Sequence, residues 1–81
     1  MATTYYFDFR TGDVLSQDEE GAELPDLEAA HKVALQAIAE AVQDGVLQDL
    51  PDRSFLVEVR DELGPVLEIS AVLNSKILRK Q

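Results

Sequence analysis

The sequence predicts an α+β domain in which an antiparallel four-stranded sheet, in the order β-β-α-β-β, carries one amphipathic helix on one face. Two observations support this prediction. Hydrophobic residues make up 46% of the 81 residues, which is more than a typical disordered acidic chain contains. Their spacing has period two in three segments and the helical period in one. The elements are expected as strands at about residues 4–10, 14–18, 54–60 and 66–72 and a helix at about 27–44, within a single domain spanning 1–81.

The first strand is predicted from its aromatic residues. Tyr5, Phe7 and Phe9 alternate with more polar side chains, and this pattern is typical of a half-buried strand. Gly12 follows in a polar turn, where glycine adopts a positive φ without a clash. The chain can then return as the short second strand. The alternation sends Tyr6 to the opposite face of the sheet, where its ring could anchor a contact.

The helix is predicted from its start, its stop and its periodicity. Asp26 is expected to cap its first turn, and Gly45 is expected to end it. His31 falls on the apolar side, and we expect it at the edge of the core. The residues expected on the apolar face are Leu27, Ala30, Ala34, Leu35, Ile38, Ala41 and Val42.

The second half of the chain predicts another hairpin. Phe55, Val57 and Val59 alternate with Leu56, Glu58 and Arg60, and residues 61–65 have turn chemistry. Residues 46–52 are expected to form a loop. The tail at 72–81 leaves two alternatives open, a short C-terminal helix or a continuation of the last strand. The sheet face away from the helix would carry a mixed set of side chains, including Tyr6, Leu56 and Val66, so it is either solvated or a homodimer interface.

The charge of the chain excludes some partners. It has 16 acidic and 7 basic residues and a formal net charge of −9. This charge opposes non-specific nucleic-acid binding and binding to anionic membranes, both of which need cationic surfaces. The sequence contains no run of about 18 apolar residues, so no membrane-spanning helix is predicted. With no export signal and no cysteine, the expected location is the cytoplasm.

The residue types needed for catalysis are scarce. The chain lacks cysteine, and His31 is its only imidazole. The acidic turn at residues 18–21 resembles part of a calcium loop, but Leu27 stands where an EF-hand needs its bidentate carboxylate. We therefore expect no enzyme activity, no cofactor and no dedicated metal site. The alternative within the enzyme class is a minimal hydrolase that uses His31 with nearby carboxylates.

The acidic residues are concentrated between Asp8 and Glu28. They form either a solvated surface that keeps a small domain in solution or a docking face for a basic protein. Arg10 is expected to pair with carboxylates of the acidic turn. The candidate interaction residues are Tyr6, Arg10, Asp18, Glu19, Glu20 and Glu23.

Two stretches together resemble a family. The first runs from Tyr5 to Gly12 and reads YYFDFRTG, and the second runs from Asp18 to Ala30 and reads DEEGAELPDLEAA. This combination resembles a family of short bacterial proteins known only as a domain of unknown function. The resemblance covers about residues 5–40 and implies no catalytic residues, since the family has no established activity. His31 departs from the pattern, because Arg is common there.

A fainter resemblance is to the N-terminal domain of HicB-type antitoxins, which share a strand pair, an acidic turn and an alanine-rich helix. The chain lacks the DNA-binding segment that many of those proteins append. The expected function is a non-enzymatic protein-interaction or regulatory module. The alternative is a HicB-like antitoxin whose acidic half masks a basic partner.

Overall fold

The computed structural model describes residues 2–47, 53–74 and 76–79. It confirms the α+β class, with one helix and an antiparallel sheet. Five strands are present among the described residues, where the sequence predicted four. The elements are β1 (Thr3–Thr11), β2 (Val14–Ser16), β3 (Ala22–Leu24), α1 (Leu27–Leu47), β4 (Arg53–Asp61) and β5 (Gly64–Leu73).

The sheet has the order β2-β1-β4-β5, and β3 also pairs with β1. β1 is therefore bordered by β4 along one edge and by two short strands along the other. β3 was missed because its three residues are too few to show an alternating pattern. β3 is a strand because it pairs with β1, a contact that its own sequence does not encode.

Both hairpin turns are confirmed. Gly12 has a φ of 59° in the first turn, and Gly64 has a φ of 128° at the end of the second. In the second turn the backbone N–H of Leu63 donates to a carboxylate oxygen of Asp61 over 2.8 Å. A register shift follows between Val59 and Arg60 of β4, which places Arg60 opposite Pro65. Pro65 lacks an N–H, and its place on an edge strand is one of the few that a sheet tolerates.

The helix begins as predicted and ends later. The backbone N–H of Ala29 donates to a carboxylate oxygen of Asp26 over 2.9 Å, which is the geometry of an N-cap. The predicted end at Gly45 is wrong, because α1 continues to Leu47. The predicted loop at 46–52 therefore starts later, and residues 48–52 lie outside the described part of the chain.

The core lies between α1 and the central strands. Ala30 and Ala34 are fully buried, so the helix backbone packs close to the sheet. The buried stripe of the helix is narrower than predicted, since Leu27 is 44% and Leu35 45% exposed. His31 is exposed too, which corrects its predicted place at the core edge. The buried core residues are Tyr5, Ala30, Ala34, Ile38, Phe55, Val57 and Val59, and Phe7 and Phe9 pack against them while partly buried.

The tail follows neither alternative fully. β5 extends to Leu73, so the strand continues one residue beyond its predicted end. Residues 76–79 have no regular secondary structure, and the predicted C-terminal helix is absent from the described tail. Ile77 and Leu78, which that helix was to pack, are 84% and 85% exposed.

Because α1 packs closely on the sheet, a larger side chain between them should lower the free energy of unfolding. Ala34→Leu should lower the free energy of unfolding by about 1–3 kcal/mol, because the larger side chain has no room to enter. Urea unfolding followed by circular dichroism measures the change. Gln36→Leu, at an exposed position of the same helix, is the matched control and should change stability by less than about 0.5 kcal/mol. Equal stability of Ala34→Leu and wild type would contradict this packing.

Candidate functional site

The edge of β1 that faces β2 and β3 has a gap. β3 pairs with Thr3–Tyr5, and β2 pairs with Phe9–Thr11. The middle of β1, at residues 6–8, therefore has no strand beside it on that edge. The chain between β2 and β3, residues 17–21, passes this gap as a loop. Buried or half-buried backbone groups need hydrogen-bond partners, so the loop has to supply them.

Asp18 fills the gap. One of its carboxylate oxygens, Oδ2, accepts the backbone N–H of Phe7 over 3.1 Å. The other, Oδ1, accepts the backbone N–H groups of Glu20 and Gly21, each over 3.1 Å. The backbone N–H of Asp18 in turn donates to Oδ1 of Asp8 over 3.0 Å. A single side chain thus closes the acidic turn and joins it to β1.

These hydrogen bonds stabilise the ionised form of Asp18. The N–H of Gly21 is the strongest influence, and with those of Phe7 and Glu20 it lowers the pKa of Asp18 below its ordinary value of 3.8. Partial burial opposes this shift, and the positive charge of Arg60 assists it. Asp18 is accordingly a carboxylate at neutral pH, and its role is to accept hydrogen bonds.

Arg60 reaches the same place from β4. Its Nε donates to Oδ2 of Asp8 over 2.8 Å, and its Nη2 donates to the backbone carbonyl of Asp18 over 2.8 Å. Its guanidinium carbon lies 4.4 Å from the centre of the Tyr6 ring, within cation–π range. The hydrogen bond to Asp8 raises the pKa of Arg60 above its usual range. Arg60 therefore ties β1, β4 and the acidic turn together.

Gly21 completes the turn by its lack of a side chain. Its φ is 72°, a conformation that other residues adopt at a cost. A Cβ at this position would lie 2.8 Å from Cγ2 of Thr4 and 2.9 Å from Cε1 of Tyr6. The loop can pack this closely against β1 only with glycine here.

Beside this cluster lies an open groove on the sheet face opposite the helix. Its volume is about 430 Å³. Leu15 and Leu56 give it an apolar part, and charges of both signs surround them. The lining residues are Asp8, Arg10, Leu15, Gln17, Leu56, Glu58 and Arg60.

Three carboxylate residues lie in a row across this face. Glu58 of β4 is directly opposite Asp8 of β1 and directly opposite Glu68 of β5. Among the described residues the one ion pair is that of Arg60 with Asp8. Glu58 and Glu68 therefore face each other without a paired cation in that part of the chain, and like charges directly opposite destabilise a sheet.

The structure separates the predicted interaction residues into two groups. Tyr6 and Asp18 belong to the cluster, so their side chains are already engaged. Arg10, which lines the groove, makes no ion pair among the described residues. The arginine that reaches the acidic turn is Arg60, which binds the backbone carbonyl of Asp18 and pairs with Asp8 of β1 rather than with a carboxylate of the turn. The exposed members of the predicted set are Arg10, Glu19, Glu20 and Glu23.

The residues that the sequence analysis did not select are Asp8, Glu58, Arg60 and Glu68. The alternation of the strands was the available signal, since it places Asp8 and Arg60 on the same face as Tyr6. The register between β1 and β4, which brings Asp8 and Arg60 together across 52 residues of sequence, has no such signal.

Among the described residues, no cluster of side chains can be assigned to the hydrolytic role considered for His31 or to a metal site. The side chain of His31 makes no hydrogen bond and no ion pair within residues 2–47, 53–74 and 76–79, and it does not line the groove. No group of three or more potential metal ligands is found in those same ranges. No helix in the described part is both long and apolar enough to span a membrane.

Replacing Asp18 tests the closure of the gap. Asp18→Asn should lower the free energy of unfolding at neutral pH by about 1–3 kcal/mol, because its NH₂ group would face a backbone N–H. Chemical unfolding of this variant and wild type gives the difference. Glu19→Gln removes a neighbouring exposed charge and should have little effect.

The same pair of proteins should respond differently to acid. The folded pKa of Asp18 is lowered, so its contribution to stability is full above the unfolded value of about 3.8 and is lost as pH falls through the folded value. The stability difference between wild type and Asp18→Asn should thus shrink below about pH 4. A difference that stays constant from neutral to acidic pH would contradict the assigned hydrogen bonds.

Comparison with known proteins gives one match. The family model described as "Domain of unknown function (DUF6894)" matches residues 4–72, which include β1 to β5 almost to its end. No curated protein and no solved structure matches significantly. The matched region contains Asp8, Asp18, Gly21 and Arg60. The resemblance to HicB-type antitoxins is not tested by this match and stays a prediction.

Proposed function

Because the chain belongs to the DUF6894 family, a domain of unknown function, we propose its role from the geometry of the sheet. The proposed role is a non-enzymatic protein-interaction module. Its outer sheet face, defined as the groove together with Glu68, binds a basic and partly apolar segment of a partner protein. The observation that carries the proposal is the row of carboxylates formed by Asp8, Glu58 and Glu68.

The electrostatics of the row favour a basic partner. Arg60 already neutralises Asp8, and Arg10 lies towards the β2 side of the face, opposite Leu56. The facing pair Glu58 and Glu68 has no paired cation among the described residues, so the repulsion between its two carboxylates remains. A lysine or arginine from a partner would relieve this repulsion, and the formal net charge of −9 would steer such a partner to the domain.

The apolar part of the face gives such a contact its area. Leu15 is 55% exposed on β2, and Leu56 of β4 lines the same groove on the other side of Arg10. A mixture of exposed leucine and both charge signs is typical of non-obligate protein interfaces. An extended segment with a basic residue and an apolar residue two positions apart could place a cation at Glu58 and an apolar group at Leu56, because side chains i and i+2 of a strand point to the same face.

The groove is poorly equipped for catalysis, which supports the non-enzymatic part of the proposal. Its lining contains no histidine, serine, threonine or lysine. The groups of its described lining that could act as a nucleophile or a base are the carboxylates of Asp8 and Glu58. One of its two carboxylates, Asp8, is held by Arg60 and by the backbone of Asp18.

A nuclear magnetic resonance titration tests the proposal. The probe is a short synthetic peptide with lysine and leucine in turn at every second position and serine between them, added to ¹⁵N-labelled protein. We expect chemical-shift changes at Leu15, Leu56, Glu58 and Glu68, with affinity that falls as salt rises. A glutamate–leucine peptide of the same length should give no comparable shifts, since its charge is repelled.

Paired variants give the quantitative test. Glu58→Gln with Glu68→Gln should weaken binding of the lysine–leucine peptide by roughly tenfold, since two charges facing the ligand are lost. Glu28→Gln with Glu40→Gln makes the same charge change at exposed positions of α1 and should weaken binding much less. Equal weakening by both pairs, or shifts confined to α1, would contradict the proposed face.

A further inference from the structure

The two edges of the sheet differ in their protection. On one side the edge is broken into β2 and β3, of three residues each, with the acidic loop between them. On the other side β5 runs for ten residues and pairs with β4 alone among the described strands. Pro65 and the register shift protect only its beginning. From Leu67 to Leu73 the free edge is a long row of backbone groups open to strand pairing.

Apolar side chains are exposed at the end of this edge. Val72 on β5 is 69% exposed, and Ile77 and Leu78 in the tail beyond it are more exposed still. Long edges with exposed apolar residues are pairing sites unless they are covered. The described tail residues do not fold back as a helix or strand to cover this one.

The charges around β5 indicate what would cover it. Asp61 at the end of β4 and Glu62 in the turn precede β5, and the tail after it carries Lys76 and Arg79. The strand is therefore acidic at its start and basic beyond its end. Antiparallel pairing of two such strands places the basic end of each beside the acidic end of the other.

We propose that two copies of this chain associate by antiparallel pairing of their β5 strands around a twofold axis, which makes one continuous sheet. The same surface is used by both copies, so the interface closes at a dimer. This inference uses the edge of the sheet and goes beyond the proposed role of its outer face.

The side chains select a register. If Glu68 of one copy were directly opposite Glu68 of the second copy, two carboxylates would face each other, which is unfavourable. A shift that centres the axis on Ile69 places Glu68 opposite Ser70 of the second copy. The same shift places Val66 opposite Val72, and it brings the turn that carries Glu62 towards the tail that carries Lys76 of the second copy.

Sedimentation and hydrogen exchange of the full chain test the dimer. We expect a dimer at high micromolar concentration and a monomer on dilution. In the dimer, alternate amides between Leu67 and Leu73 should exchange roughly tenfold more slowly than in the monomer, because they gain strand partners. A monomer at all concentrations, or a dimer whose newly protected amides lie in β2 or α1, would overturn the proposal.

Charge reversal tests the orientation and the register. Lys76→Glu should weaken dimerisation by roughly tenfold. The new carboxylate of each copy would lie near Glu62 of the other copy, and the symmetric interface contains this repulsive pair twice. Lys32→Glu changes the net charge equally at an exposed position of α1 and serves as the control. The double variant Glu62→Lys with Lys76→Glu should restore the dimer. Failure of this restoration would contradict the antiparallel arrangement.

Discussion

The carboxylate of Asp18 is the constraint on which this side of the sheet depends. β1 borders two short strands on one edge, and between them the backbone N–H of Phe7 has no strand to pair with. Asp18 supplies an acceptor from a loop side chain and uses its other oxygen to close its own turn. A charged acceptor of backbone N–H groups forms stronger hydrogen bonds than a neutral one. The edge can thus be interrupted without leaving half-buried polar groups unpaired.

Arg60 extends this local solution across the sheet. It binds the side chain of Asp8 and the backbone of Asp18, and its guanidinium stacks over Tyr6. The planar guanidinium donates in more than one direction at once, which an ammonium group on a flexible stem does less well. The outer face therefore has an ordered polar cluster at one end. The remaining carboxylates, Glu58 and Glu68, stand beside it without a described ion pair. This contrast separates the residues that hold the fold from the residues on which the proposed interaction depends.

Features that depend on neighbouring residues could be predicted from the sequence, whereas contacts between residues far apart in the sequence could not. The cap at Asp26 and the turn at Gly12 depend on neighbours within three residues, so residue type was enough. The pairing of Arg60 with Asp8 depends on a register set by the whole sheet. Closeness in sequence favoured an ion pair of Arg10 with the acidic turn, and Arg10 makes none among the described residues. Leu35 was expected in the core because helical periodicity defines a broad face. The small sheet covers only the central stripe that contains Ala30 and Ala34.

The most direct test of this account is the exchange rate of the Phe7 amide hydrogen at neutral pH. Tyr5 and Phe9, on either side, lie opposite Ala22 of β3 and Ser16 of β2, whereas no strand faces Phe7 on that edge. If the Asp18 carboxylate holds the Phe7 N–H, this amide should exchange as slowly as the amides of Tyr5 and Phe9. Exchange of Phe7 at the rate of an exposed loop amide, with its neighbours protected, would contradict the central role of Asp18.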